Sequence, residues 1–152
     1  MAGRFEGSTV IDKPIEALFD FLADGENDKL FSKRAVEIER LDEGPIGVGS
    51  AWRSKVNDGG VKTDREFRLT EFERPSKIRW TETSKNKLSV PEGGYDLEPA
   101  SDGSAKLTLF NVLDGSGFGG GLIEKFALRQ ARGSKGVAVI LADIKRVAEE
   151  RL

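Results

Sequence analysis

Lys106-Leu-Thr-Leu-Phe-Asn-Val-Leu-Asp-Gly-Ser-Gly-Phe-Gly-Gly-Gly-Leu122 is the stretch on which the fold turns. Its first half alternates like a strand, and its second half is a glycine-rich loop feeding a helical pattern. Gly115, Gly117 and Gly120 match G-x-G-x-x-G, the phosphate-binding fingerprint of a dinucleotide fold. That fingerprint requires a parallel strand after the helix and an acidic residue about 20 positions on. Here the helical pattern runs on to Glu150 and no strand follows. No Gly-Lys-Ser/Thr is present, so a phosphate loop fails as well. The segment 115–121 reads as a loop entering a terminal helix, or as a gate beside a cavity, and the sheet before it is not a parallel one.

Upstream of that stretch, strand-like segments alternate with turn chemistry. Residues 36–41, 48–56, 61–72, 77–84 and 106–113 read as strands. The segment 88–99 is interrupted by Pro91-Glu-Gly-Gly94, which leaves 94–98 as its regular part. Connections this short predict an antiparallel meander. Ahead of the meander, residues 4–11 predict a strand. Pro14 then opens a helix carried by Ile15, Leu18, Phe19 and Leu22. Gly25 and Asn27 interrupt it before a short helical piece at 28–32.

Downstream, Leu122, Phe126, Val137, Ile140, Ile144 and Val147 share a face and predict one helix over 122–150. Gly133 and Gly136 fall inside it, each costing about 1 kcal/mol relative to Ala. The order is strand, two short helices, six strands, long helix. This is the α+β class, with residues 1–152 forming one domain.

Composition narrows the function. The 152 residues are 38% hydrophobic and 33% charged, and 24 Lys+Arg against 26 Asp+Glu give a net charge of −2. That balance predicts no basic footprint for nucleic acid and no polybasic membrane patch. There is no Cys and no His, which removes disulfides, thiolate metal sites, Ser-His-Asp triads and the usual proton shuttle near neutral pH. No metal and no cofactor is expected. Met1-Ala-Gly-Arg-Phe-Glu has no apolar leader core, and the apolar run Val137-Ala-Val-Ile-Leu-Ala142 is far short of a span. The expected location is the cytoplasm.

A sheet packed on one helix turns alternate residues inward. The inward sets are Val48, Ser50, Trp52, Ser54 and Val56; Val61, Thr63, Arg65, Phe67 and Leu69; and Ile78, Trp80, Glu82 and Ser84. In 106–113 either Leu107, Leu109, Asn111 and Leu113 or Thr108, Phe110 and Val112 point inward. Unpaired charge is costly inside a core. Either Arg65 and Glu82 pair or reach solvent, or they line a partly polar ligand cavity of the usual small-molecule kind. On the helix, Arg129, Gly133, Phe126 and Gln130 lie at roughly −20°, 20°, 40° and 80° from Ile140. Either the helix bends at its glycines and frees Arg129, or its first half leaves room for a ligand.

Several motifs resemble the START-like (SRPBCC) superfamily in its polyketide cyclase/dehydrase branch. They are Phe5-x-x-Ser8-x-x-Ile11-x-x-Pro14-x-x-x-x-Phe19-x-x-x-x-Asp24, Gly47-Val-Gly49-Ser-x-Trp52-Arg53, Thr70-Glu-Phe72-Glu-x-Pro75-x-x-Ile78-x-Trp80 and Tyr95-Asp-Leu-Glu-Pro99. The resemblance implies the helix-grip fold, a curved antiparallel sheet of about seven strands around a long C-terminal helix and a hydrophobic cavity. It also implies a small hydrophobic or aromatic ligand and leaves open whether chemistry follows.

The resulting expectation is a binder of an apolar, lipid-like or polyketide-like metabolite, acting as carrier, sequestering or self-resistance protein. Trp52, Phe67, Trp80, Tyr95 and Phe126 are its expected walls. Arg65, Asn111, Arg129 and Gln130 are its expected polar contacts, and Gly133 gives room. The alternative is an aromatase/cyclase-type enzyme in which Glu82 takes a proton and Arg65 or Tyr95 holds the enolate. A monomer or weak dimer without nucleic-acid or membrane-inserted partners is expected.

Overall fold

The structure, a computed structural model, describes residues 3–32, 35–58, 60–84, 88–133 and 136–152. The expected turn at 85–87 and the side chains of Val61 and Ser84 lie outside this description. The elements are β1 (Gly3–Ile11), α1 (Ile15–Ala23), a 3₁₀ turn (Gly25–Asn27), α2 (Asp28–Phe31), β2 (Ala35–Arg40), β3 (Ala51–Asp58) and β4 (Val61–Glu73). They continue with β5 (Lys77–Ser84), β6 (Leu88–Pro99), β7 (Ala105–Gly115), α3 (Gly120–Arg132) and α4 (Val137–Arg151).

The seven strands form one open antiparallel sheet in the order β1-β7-β6-β5-β4-β3-β2. The run β2–β7 is the meander that the short turns require, and β1 closes on β7. Helices cover one face, giving the α+β helix-grip arrangement. The inward phases follow the expected alternation: Trp52, Ser54 and Val56 are buried while Arg53, Lys55 and Asn57 are exposed. One expectation about a strand end changes, and one open phase is decided. β3 begins at Ala51, and Val48 lies in the preceding loop, 69% exposed. In β7 the inward set is Leu107, Leu109, Asn111 and Leu113. Phe110 is buried on the opposite face between the guanidinium groups of Arg4 and Arg79, 4.0 and 4.9 Å from its ring centre.

Two bulges shape the inner face. In β6, Val90 faces Glu82 and Gly93 faces Trp80, so Pro91 and Glu92 stand opposite Thr81 alone. A bulge is where a sheet tolerates a residue without an N–H. The strand therefore continues over the whole of 88–99 instead of being confined to 94–98. In β4 the register shifts between Leu69 and Glu71. The inward phase passes from Leu69 to Phe72, whose ring meets Phe19 of α1 edge-on at 5.1 Å.

The C-terminal helical stretch is divided. α3 ends at Gly133, whose backbone is extended (φ −79°, ψ 176°), and α4 starts after Gly136 (φ −99°, ψ −122°). The expected single helix thus breaks at its two glycines. Its packed face keeps the expected Val137, Ile144 and Val147 but not Leu122, Phe126 or Ile140, which are exposed. The buried residues are Gly120, Glu124 and Leu128 in α3, and Val137, Leu141, Ile144, Val147 and Ala148 in α4. Room for them comes from β1. A Cβ on Gly3 would collide with Leu128 Cδ1, and one on Gly7 would lie 2.9 Å from Leu141 Cδ1. Glu124 accounts for the rotation of α3. Its buried carboxylate accepts the Gly115 N–H at 3.0 Å, so the polar residue points inward with its partner supplied. Helical periodicity then turns Leu122 and Phe126 outward.

Candidate functional site

The antiparallel register sets the inner face out in rows. One row runs Arg40, Trp52, Phe67, Glu82, Val90. The next runs Leu69, Trp80, Gly93, Asn111, Phe5. A third runs Phe72, Ile78, Tyr95, Leu109, Gly7. Ser54 and Arg65 are paired neighbours beyond the first. β-branched and aromatic side chains suit such pleated surfaces. Here they alternate with charge.

Two aromatic couples dominate. Trp52 and Phe67 stack with ring centres 5.4 Å apart and planes 15° from parallel. Trp80 and Tyr95 meet edge to face at 4.9 Å. Trp52 is fully buried, and among the described residues its indole N–H has no hydrogen-bond partner. Gly93 lies between Trp80 and Asn111 in the middle row. A Cβ there would collide with Trp80 Nε1 and Asn111 Oδ1, so the absent side chain lets these two groups converge. Arg65 donates to Glu82 across β4 and β5, Nη1 to Oε1 at 3.2 Å, with both side chains largely buried. The two charges therefore pair, as the first of the two sequence readings holds.

Asp28 opens α2 above this face. Burial of its carboxyl, then the negative charges of Glu82 and Asp24, push its pKa up to about 8. Burial, then the charge of Asp28, raises the Tyr95 phenol well above its usual value. Asp28 on α2 thus senses Glu82 on β5 and is itself sensed by Tyr95 on β6. No sequence signal marks Asp28. An acid in the first turn of a short helix reads as an ordinary complement to the helix dipole.

The structure brings Trp52, Arg65, Phe67, Trp80, Glu82, Tyr95 and Asn111 onto one face. It does not bring the helix residues there. Phe126 is 64% exposed, and Arg129, Gln130 and Gly133 are exposed with it. A continuous helix phased on Ile140 turns them inward, but Ile140 is itself exposed and the helix is divided ahead of it. Two clefts open on the outer face, one along Glu73, Lys77, Asp96 and Glu98, the other along Glu37, Glu39, Arg53 and Asp64. Their linings are largely charged side chains. Among the described residues no group of acids is placed to hold a metal ion.

No protein-family model and no curated protein sequence matches the chain. Solved structures do. The Zhui aromatase/cyclase of Streptomyces sp. R1128 is similar at 15% identity and TM-score 0.79, over 99% of this chain and 96% of that one. A START superfamily protein of Mycobacterium smegmatis is similar at 12% identity and TM-score 0.77, over 98% and 99%. The di-domain aromatase/cyclase BexL of the BE-7585A biosynthetic pathway is similar at 18% identity and TM-score 0.73, with 99% of this chain lying on 51% of that one. At such identities the likeness is one of architecture: this chain shares the helix-grip fold of those structures.

Proposed function

We propose that residues 1–152 form one ligand-binding domain. In this reading the inner face of the sheet takes a small, largely apolar metabolite, aromatic or lipid-like, and the protein serves as its carrier, sequestering or self-resistance factor. The observation that carries this reading is the meeting, on one face, of the Trp52–Phe67 and Trp80–Tyr95 couples with the Arg65–Glu82 pair and Asn111. Apolar walls with a few placed polar groups are the usual anatomy of a small-molecule site. The aromatic couples supply area, and Arg65 and Asn111 orient an oxygen of the ligand. Phe126, Arg129, Gln130 and Gly133 take no part. Titration with an anthraquinone or a fatty acid tests the proposal. Saturable quenching of tryptophan fluorescence, lost in Trp80→Ala, supports it. Absence of saturable binding by either probe, with no co-purifying metabolite in native mass spectrometry, overturns it.

Asp28 favours a second reading. A carboxyl titrating near neutral pH suits proton transfer next to a carbonyl. In an aromatase/cyclase-type enzyme, Asp28 or Glu82 would move the proton, and Arg65 or Tyr95 would hold the enolate oxygen. Asp28→Asn separates the two readings. A carrier keeps its function, whereas an enzyme loses about 10²–10⁴ in rate with ligand affinity intact.

A further inference from the structure

α3 turns its one acid inward and three of its large apolar residues outward. Glu124, its one acid, is buried against the Gly115 N–H. Outward stand Leu122, 75% exposed, and Phe126, 64% exposed, with Ile123 beside them. Phe118, 96% exposed, projects from the loop just before, held between Gly117 and Gly119 at φ 72° and 79°. At 100° per residue, Lys125, Arg129, Leu122 and Phe126 fall within an arc of about 100°, with Arg132 at its margin. Every exposed charge on α3 is therefore basic. Among the described residues Lys125 and Arg129 form no ion pair, and Arg132 donates to the Arg4 carbonyl at 2.6 Å. The chain as a whole has a net charge of −2. Its overall balance conceals a local positive, apolar surface that composition does not reveal.

We propose that α3 and the loop before it dock on an anionic lipid surface. Leu122, Phe126 and Phe118 enter the headgroup boundary, and Lys125 and Arg129 meet lipid phosphates. Apolar side chains flanked by cations on an exposed helix match that boundary on both counts. A protein partner is the less fitting occupant. The apolar residues project singly from a convex helix, and neither cleft of the outer face includes any of them. The docking is peripheral, since among the described residues no helix is long and apolar enough to cross a membrane. The proposal does not rest on the ligand-binding reading.

Co-sedimentation of the full chain with vesicles tests it. Vesicles of phosphatidylcholine and phosphatidylglycerol in equal parts should bind the protein, and pure phosphatidylcholine should bind it far less. Removing two cations in Lys125→Ala/Arg129→Ala should weaken binding to the anionic vesicles about 30-fold, at about fivefold per charge. Leu122→Asp/Phe126→Asp should abolish it. Both pairs of sites are exposed, and unchanged thermal melts establish that the variants are folded. Failure of the wild type to bind anionic vesicles overturns the proposal. So does binding that both variants retain, or a self-association or protein complex abolished by Leu122→Asp/Phe126→Asp in the absence of vesicle binding.

Discussion

Gly25 lies against the indole of Trp52. A Cβ built on the glycine would come 2.8 Å from Trp52 Cδ2 and 2.8 Å from Phe67 Cε2. The glycine opens the 3₁₀ turn that roofs the Trp52–Phe67 stack. Relief of so short a contact needs movement of two packed rings rather than of a flexible chain end. Gly25→Ala should therefore destabilise the protein by about 1–3 kcal/mol, the usual cost of overpacking. A lower urea midpoint at unchanged slope is the expected result, and a wild-type midpoint would remove the turn from the stack.

The two glycines between α3 and α4 should differ sharply. A Cβ on Gly133 lies 3.4 Å from the carbonyl oxygens of Arg129 and Gln130, an ordinary contact, and its backbone is extended. On Gly136 it would collide with the carbonyls of Ala131 and Gln130, which are backbone and cannot swing aside. Gly133→Ala should stay within about 0.5 kcal/mol of wild type, while Gly136→Ala should lose about 1–3 kcal/mol. Gly133→Leu should leave ligand affinity unchanged, because Gly133 faces outward. Equal stabilities of the two Ala variants, measured by urea unfolding, would contradict this account of the break.

The strands were legible because a period of two and their turn residues are local properties. Trp52, Phe67 and Trp80 followed directly from alternation. Pro91 misled, because a bulge and a chain break share the same composition, and only pairing with Glu82 and Trp80 distinguishes them. The helix face misled for a related reason. Apolar residues occur on both sides of 122–147, so periodicity alone allowed two phases. What selects the true phase is the contact of Glu124 with Gly115 on the preceding strand and the glycines of β1, far away in the chain, that admit Leu128 and Leu141. Asp28 was invisible because its state depends on Glu82, fifty-four positions away in the chain, and on burial that no local pattern encodes.

Glu82→Gln should separate pairing from chemistry. The Arg65–Glu82 contact at 3.2 Å is charge-assisted and mostly shielded from water. Its loss should cost about 1–3 kcal/mol of stability. Ligand affinity should stay within about tenfold, or roughly 1.4 kcal/mol, because Arg65 and the aromatic couples remain. The same variant removes one of the negative charges that raise Asp28, so the titration of Asp28 should move down. NMR of the Asp28 carboxyl reads this directly, and an unmoved titration would show that the two carboxyls do not sense each other.

Asp28 should also imprint itself on the dependence of stability on pH. Its carboxyl titrates at about 8 in the folded protein against 3.8 for an ordinary aspartate. Between those values the folded state holds a proton that the unfolded chain has released, so unfolding releases a proton and stability falls as pH rises. The slope for this one group reaches about 1.4 kcal/mol per pH unit and levels off above its folded pKa. Asp20 and Glu149 act in the opposite sense and at lower pH. The first is held below the usual carboxylate range by its hydrogen bonds from Arg74, the second by the Asp12 N–H. Both cancel when Asp28→Asn is compared with wild type. The two proteins should be similar in stability at about pH 4, where the wild-type aspartate is neutral, and should diverge above it, with the variant the more stable at about pH 8.5. Parallel curves of urea midpoint against pH would mean that Asp28 ionises like a surface carboxylate, and the proton-transfer reading of the site would fall with it.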